Sequence, residues 1–216
     1  MIARVARLRY PSQLLRAEAE RNRSGRVVPS IIRQPGFRAT FYGRIAELEA
    51  FSITMFDSAE AAAVASAAID AEPLLPGQTP EMLPTPESIT FCEVRHAIVR
   101  DQMPVVGRLD YLTRAAGINA ASADQWALEV YVPMLETIRG VSHAYLLRSG
   151  NSAEWISLVF WSSQEALGPA RASIGSWRAS EVAAGRASAL VIVDAFTLSD
   201  AYAVIAGALS TIEDLV

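Results

Sequence analysis

The chain has 216 residues, of which 51% are hydrophobic and 19% charged, with a formal net charge of −4. That length and apolar content suit one large or two small globular domains with a sizeable core, and they exclude a disordered chain. The mild acidity gives no electrostatic ground for nucleic acid or anionic lipid as a partner.

All 19 basic residues are Arg. This reads as the codon bias of a GC-rich bacterium, and it removes any lysine nucleophile or Schiff base. From the N-terminus, residues 2–9 alternate in polarity and run into Tyr10-Pro11, a strand and its break. Charges are interleaved with apolar residues there, with no h-region of a secretory signal, and no apolar run reaches the roughly 18–20 residues of a membrane span. A cytoplasmic protein is expected. A helical stretch over about 12–33 follows, interrupted by "NRSG" (22–25) and Pro29 and stopped at Gly36. A hairpin of 37–44 with 48–56 leads to an alanine-rich helix from Ser58. The Pro-rich segment 72–87 is too long for a simple connection, and 88–98 reads as a closing strand. Cys92 is the single cysteine, can form no internal disulfide, and reads as a buried inert thiol.

The second half repeats the first. An offset of 104 aligns Arg4 with Arg108, Leu8 with Leu112, Val28 with Val132, Pro29 with Pro133, Gly36 with Gly140 and Arg44 with Arg148. After a one-residue slip in the hairpin, "FSITMFDSAEAA" (51–62) aligns with "ISLVFWSSQEAL" (156–167). The second copy reads as a strand at 105–113 and a helix at 122–139, opened by Ser122 with Gln125 as a capping box. A hairpin of 141–148 with 154–161, a helix from Ser163 and a strand at 188–197 complete it. Each copy is therefore a βαββαβ unit. The expected division is 1–98, 104–198 and a C-terminal helix at 199–216, capped by Ser199 or Asp200 with Tyr202, Ile205, Leu209 and Ile212 on one face.

The stretch "VPMLETIRGVSHAYLLRSGNSAEWISLVFWSSQEAL" (132–167) resembles antibiotic biosynthesis monooxygenase-like members of the dimeric α/β-barrel superfamily. The shared pattern is a helix ending in Gly, a hairpin, a strand ending in an aromatic, then Ser and Glu-Ala opening the next helix. Residues 31–62 carry it more faintly, with Phe56 in the aromatic position. The resemblance implies an α+β fold whose two ferredoxin-like sheets pack as a pseudo-dimeric α/β barrel in one chain, with a further homodimer open through the C-terminal helix. The apolar strand face (Phe51, Ile53, Met55; Ile156, Leu158, Phe160) is expected against the helices. The mixed face (Ser52, Thr54, Phe56; Ser157, Val159, Trp161) is expected inside the barrel.

Several residues then become candidates. Arg4 and Arg108 hold matching places in the first strands, and Glu93 and Asp194 matching places in the last. Each Arg can reach the carboxylate of its own copy, as a ligand anchor or as a salt bridge closing the barrel. Trp161 stands at the family's aromatic position, and Trp177 resembles the second aromatic of the following helix. Where relatives often carry His, this chain reads "SEVAAGR", so the haem-degrading triad is incomplete. His143 shares a strand face with Tyr145 and is the candidate general base. His96 is the only other histidine, so no metal site is expected. Tyr10, Tyr42 and Tyr111 can orient a phenolic ligand. No phosphate loop, nucleophile elbow, CxxC or HExxH occurs. The resemblance implies a cofactor-free monooxygenase-like oxidoreductase that acts on or binds a small aromatic molecule in the barrel cavity, with the substrate itself activating oxygen. The protein then supplies a dry pocket, a donor to the substrate anion and a base. The alternatives are a non-catalytic ligand-binding or degenerate barrel and, third, a haem-binding one.

Overall fold

A computed structural model describes residues 1–149, 154–184 and 189–205. The first repeat comprises β1 (Ile2–Arg9), α1 (Gln13–Asn22), α2 (Val28–Ile31), β2 (Phe37–Ala46), β3 (Glu49–Phe56), α3 (Ala59–Ala71) and β4 (Pro86–Val99). The second comprises β5 (Val106–Arg114), α4 (Ala120–Trp126), α5 (Val132–Thr137), β6 (Val141–Ser149), β7 (Trp155–Trp161), α6 (Gln164–Ala183) and β8 (Leu190–Ile205). The fold is α+β, and the eight strands form one closed barrel in the order β1-β3-β2-β8-β5-β7-β6-β4. Two compact units divide within β4, at Cys92/Glu93, and within β8, at Tyr202/Ala203. Among the described residues no helix is long and apolar enough to cross a membrane.

The helix expected to be interrupted at "NRSG" and Pro29 runs on instead. α1 passes through a π-helical turn, Arg23–Val27, into α2, and α4 passes through Ala127–Tyr131 into α5. Proline has no N–H to donate, and its ring crowds the carbonyl four residues back. The turn before Pro29 and Pro133 widens accordingly: the Val28 N–H reaches the Arg23 carbonyl and the Val132 N–H that of Ala127, five residues back. α4 also begins earlier than the Ser122 box suggests. Asn119, extended at φ −80°, accepts the Ser122 N–H at 2.8 Å, so Asn119 is the cap and Ser122 lies inside the helix.

The echoed junctions are built alike. Gly36 and Gly140 sit at φ +79° and +77°. A Cβ there would lie 2.9 Å from Ala61 Cβ and 2.7 Å from Ala166 Cβ. The glycine is thus needed both for its backbone angle and to let the next helix approach. Ser58 Oγ accepts the Ala61 N–H at 3.1 Å, and Ser163 Oγ accepts the Ala166 N–H at 3.3 Å.

Two further expectations are overturned. In the second repeat the helices pack on Val106, Leu112, Ala144, Leu146, Trp155, Val159 and Trp161. In the first they pack on Phe37 and Phe56. The mixed strand face therefore meets the helices, and Phe51, Ile53, Met55, Ile156, Leu158 and Phe160 point the other way. The wholly apolar face is no better suited to helices than one whose hydroxyls find partners there. The C-terminal helix also fails over 199–205, which belong to β8. The Ala201 N–H donates to the Val105 carbonyl, just before β5, at 3.0 Å, a bond that a helix would forgo. Asp200 is a positive-φ kink (49°) rather than a helix cap. Residues 206–216 lie outside the described residues.

Candidate functional site

Strand register arranges the helix-facing side of the second repeat in rows. Val106 lies beside Trp161, Arg108 beside Val159, Asp110 beside Ser157 and Leu112 beside Trp155. β8 adds Thr197 next to Arg108 and Ala195 next to Asp110. A polar band of Thr197, Arg108, Asp110 and Ser157 thus crosses three strands between apolar rows.

Each member of the band has a partner. Arg108 Nε donates to Asp110 Oδ1 at 2.7 Å, with the Asp110 side chain 8% exposed and that of Arg108 27%. Tyr131, delivered by the π-helical turn, has its hydroxyl 2.9 Å from Ser157 Oγ, both buried. From α6, Arg171 Nη2 donates to Thr197 Oγ1 at 2.7 Å. Aromatic rings roof the band: Trp126 stacks on Tyr131 at 6.0 Å, and Trp177 lies 6.0 Å from Trp126 and 6.4 Å from Tyr131. Trp161 is fully buried among the same helices, and its indole N–H has no hydrogen-bond partner among the described residues. An orphaned buried donor is rare and costs about 1–3 kcal/mol.

The first repeat has the same rows with other chemistry. Ile2 lies beside Phe56, Arg4 beside Thr54 and Ala6 beside Ser52. Thr40 lies beyond Thr54, and Tyr42 beyond Ser52. The Thr40 and Thr54 hydroxyls are 3.1 Å apart. The Tyr42 hydroxyl donates to Glu20 Oε1 at 3.3 Å, and the Arg23 guanidinium lies 3.2 Å from the Tyr42 ring centre. Burial, then the Tyr42 hydroxyl, raises the Tyr10 phenol above its ordinary range. Burial lowers the Arg4 guanidinium, partly offset by the charge of Asp70 on α3.

The predicted site residues divide among several places. Arg108, Trp161 and Trp177 come together on the helix side of the second repeat. His143, Tyr111 and Asp194 lie on the sheet's other face: His143 is paired in register with Phe160, and Tyr111 with Asp194. Burial holds the His143 imidazole below its usual pKa. Tyr111 meets Phe196 edge-on at 6.2 Å.

The expected Arg–carboxylate pairs do not form. Register sets Thr197, not Asp194, opposite Arg108, which takes Asp110 from its own strand. Glu93 pairs with Arg95 at 3.2 Å, two residues along the same strand. Arg4 makes no hydrogen bond or ion pair among the described residues. The sequence reading missed Asp110, Tyr131 and Trp126. The one available signal was an acid two residues beyond Arg108 in a strand otherwise reading as buried. Among the described residues no cluster of metal-ligating side chains occurs.

No family model matches the chain, and no curated protein matches it. Solved structures do match in fold. A candidate monooxygenase from Lactobacillus acidophilus NCFM superposes with a TM-score of 0.66 at 12% identity, over 91% of this chain and 92% of its own. An anthrone oxidase-like protein gives 0.54 at 15% identity, over 95% and 94%. A candidate monooxygenase from Fusobacterium nucleatum subsp. nucleatum gives 0.55 at 11%, over 95% and 92%. At such identities the likeness is one of fold, and the chain has, in a single polypeptide, the α+β barrel architecture of these monooxygenase-like structures.

Proposed function

We propose that the second repeat binds a small hydroxylated aromatic molecule between its sheet and its helices, and that the protein oxidises it with dioxygen and no cofactor. One observation carries this reading: polar groups converge beneath aromatic rings on a sheet face that is otherwise apolar. Ligand sites have this composition, an apolar lining with a few placed polar groups. Trp126 and Trp177 offer ring faces, Asp110 and the Tyr131–Ser157 pair offer polar contacts, and the Trp161 N–H offers an unused donor.

The chemistry asked of the protein is modest. Asp110 takes the proton whose loss makes the substrate an electron-rich anion. The Trp161 N–H stabilises that anion, and the aromatic enclosure excludes water. The anion itself reduces oxygen. For anthrone, a fitting probe given the anthrone oxidase-like fold neighbour, one O2 converts the ring CH2 to C=O and leaves as one water. Haem has no part in this reading: His143 lies on the sheet's other face, paired in register with Phe160, and the remaining histidine, His96, has its Nε2 3.8 Å from Glu136 Oε1 of α5.

The test is oxygen uptake and anthraquinone formation with anthrone, set against its uncatalysed oxidation. Asp110→Asn is expected to lower the enzymatic rate about a hundredfold or more. Trp161→Phe is expected to lower it about a hundredfold, with the fold retained by circular dichroism. No acceleration by the wild type, together with tryptophan fluorescence unchanged by hydroxylated aromatics, overturns the reading. A second reading is binding without turnover, favoured by the placement of His143 away from Trp161. Fluorescence quenching without oxygen uptake would select it.

A further inference from the structure

Beside the shared arginine the two repeats differ in charge. In the second, Arg108 is neutralised by Asp110 at 2.7 Å. Ala6 stands in the place of that aspartate in the first repeat, between Arg4 and the break at Tyr10-Pro11. Arg4 accordingly has no ion pair and no hydrogen bond among the described residues. The charge of Asp70, on α3, acts on it through space.

Such a group is costly to keep half-buried. A guanidinium removed from water needs a counter-charge and acceptors for its fork of N–H groups. Its row continues with Thr54 and Thr40, whose hydroxyls face one another at 3.1 Å. Only one of those two hydroxyl protons is used in their mutual bond, so the other can be donated. The next row is apolar, with Ile2 beside Phe56 and Phe56 edge-on to Phe37 at 6.2 Å. α2 adds Val28 and Ile31 to the same cluster.

We propose that Arg4, with the Thr40–Thr54 pair, is an anion site that takes a small monocarboxylate bearing an apolar body. The carboxylate supplies the charge that Asp110 supplies in the second repeat, accepting from the guanidinium fork and from the spare hydroxyl proton. Its apolar part meets Phe56 and the α2 side chains. One guanidinium near Asp70 balances a single negative charge, which argues against a phosphate dianion. The site is independent of the function proposed for the second repeat, and either can fail alone.

Calorimetric titration of the full chain with benzoate at neutral pH tests it. The expected result is one saturable site per chain, not competed by the neutral analogue benzamide. Arg4→Met is expected to weaken it roughly tenfold or more, the effect of losing a charge-assisted hydrogen bond. Ala6→Asp, which restores the internal carboxylate, is expected to do the same, with folding checked by circular dichroism. If Ala6→Asp does not fold, Arg4→Met decides. Absence of saturable benzoate binding, unchanged affinity in Arg4→Met, or equal competition by inorganic phosphate would each overturn the proposal.

Discussion

Replacing His143 by Gln removes an imidazole that is 1% exposed and whose pKa burial holds below its ordinary 6.5. In the native state the ring stays neutral below that value, whereas in the unfolded chain it takes up a proton near it. The unfolded state therefore binds more protons in the window beneath 6.5. Stability falls as pH falls through that window, until the native ring is itself protonated. At full effect the slope is about 1.4 kcal/mol per pH unit, or roughly 3–5 °C in Tm for a chain of this size. Thermal unfolding followed by circular dichroism between about pH 7 and about pH 5 covers the window. Carboxylates such as Glu18, held down by Arg21, and Asp57, held down by Arg38, titrate beneath it. The wild type should lose stability across this range faster than His143→Gln. Parallel curves would refute the reasoning, showing that His143 is not sealed on the Phe160 face of the sheet.

Two further outcomes test the packing directly. Gly140→Ala brings a Cβ within 2.7 Å of Ala166 at φ +77°, whereas Gly117→Ala meets nothing within 4 Å at φ +79°. Both incur left-handed strain of about 1–2 kcal/mol, and overpacking adds about 1–3 kcal/mol only at Gly140. Equal urea midpoints for the two variants would contradict the helix–glycine contact. Tyr131→Phe, Ser157→Ala and the double variant should give a coupling energy of about 0.5–1.5 kcal/mol in unfolding experiments. Additive losses would mean that the 2.9 Å contact is idle.

What could be read from the amino acids depended on how local the cause was. Gly36, Gly140, Ser58 and Ser163 act within a few residues of themselves, and their repeat at fixed offset revealed both βαββαβ units. Which sheet face meets the helices was misread, because both faces of β7 are buried and periodicity cannot rank them. The deciding contact, Tyr131 to Ser157, spans 26 residues. The partner of Arg108 was sought on a neighbouring strand when register had already moved Asp194 to the opposite face. The end of β8 was hidden because Ser199-Asp200 imitates a helix cap while its backbone serves as a kink.

Placing both repeats in one chain has a chemical consequence. In a homodimer of such units, symmetry imposes the same side chain on both copies of a site. A tandem chain escapes that constraint, and the helix-facing rows show the escape residue by residue. Arg4 and Arg108 are shared, but Ala6 faces Asp110 across the alignment, Thr54 faces Val159, Tyr42 faces Leu146 and Phe56 faces Trp161. The second repeat carries an internal counter-charge and aromatic bulk, as the aromatic ligand proposed for it requires. The first carries a cation without an ion pair among the described residues and two facing hydroxyls, as the proposed carboxylate requires. One backbone cradle thus carries two opposite electrostatic solutions, and the single exchange Ala6→Asp is the change that should convert one into the other.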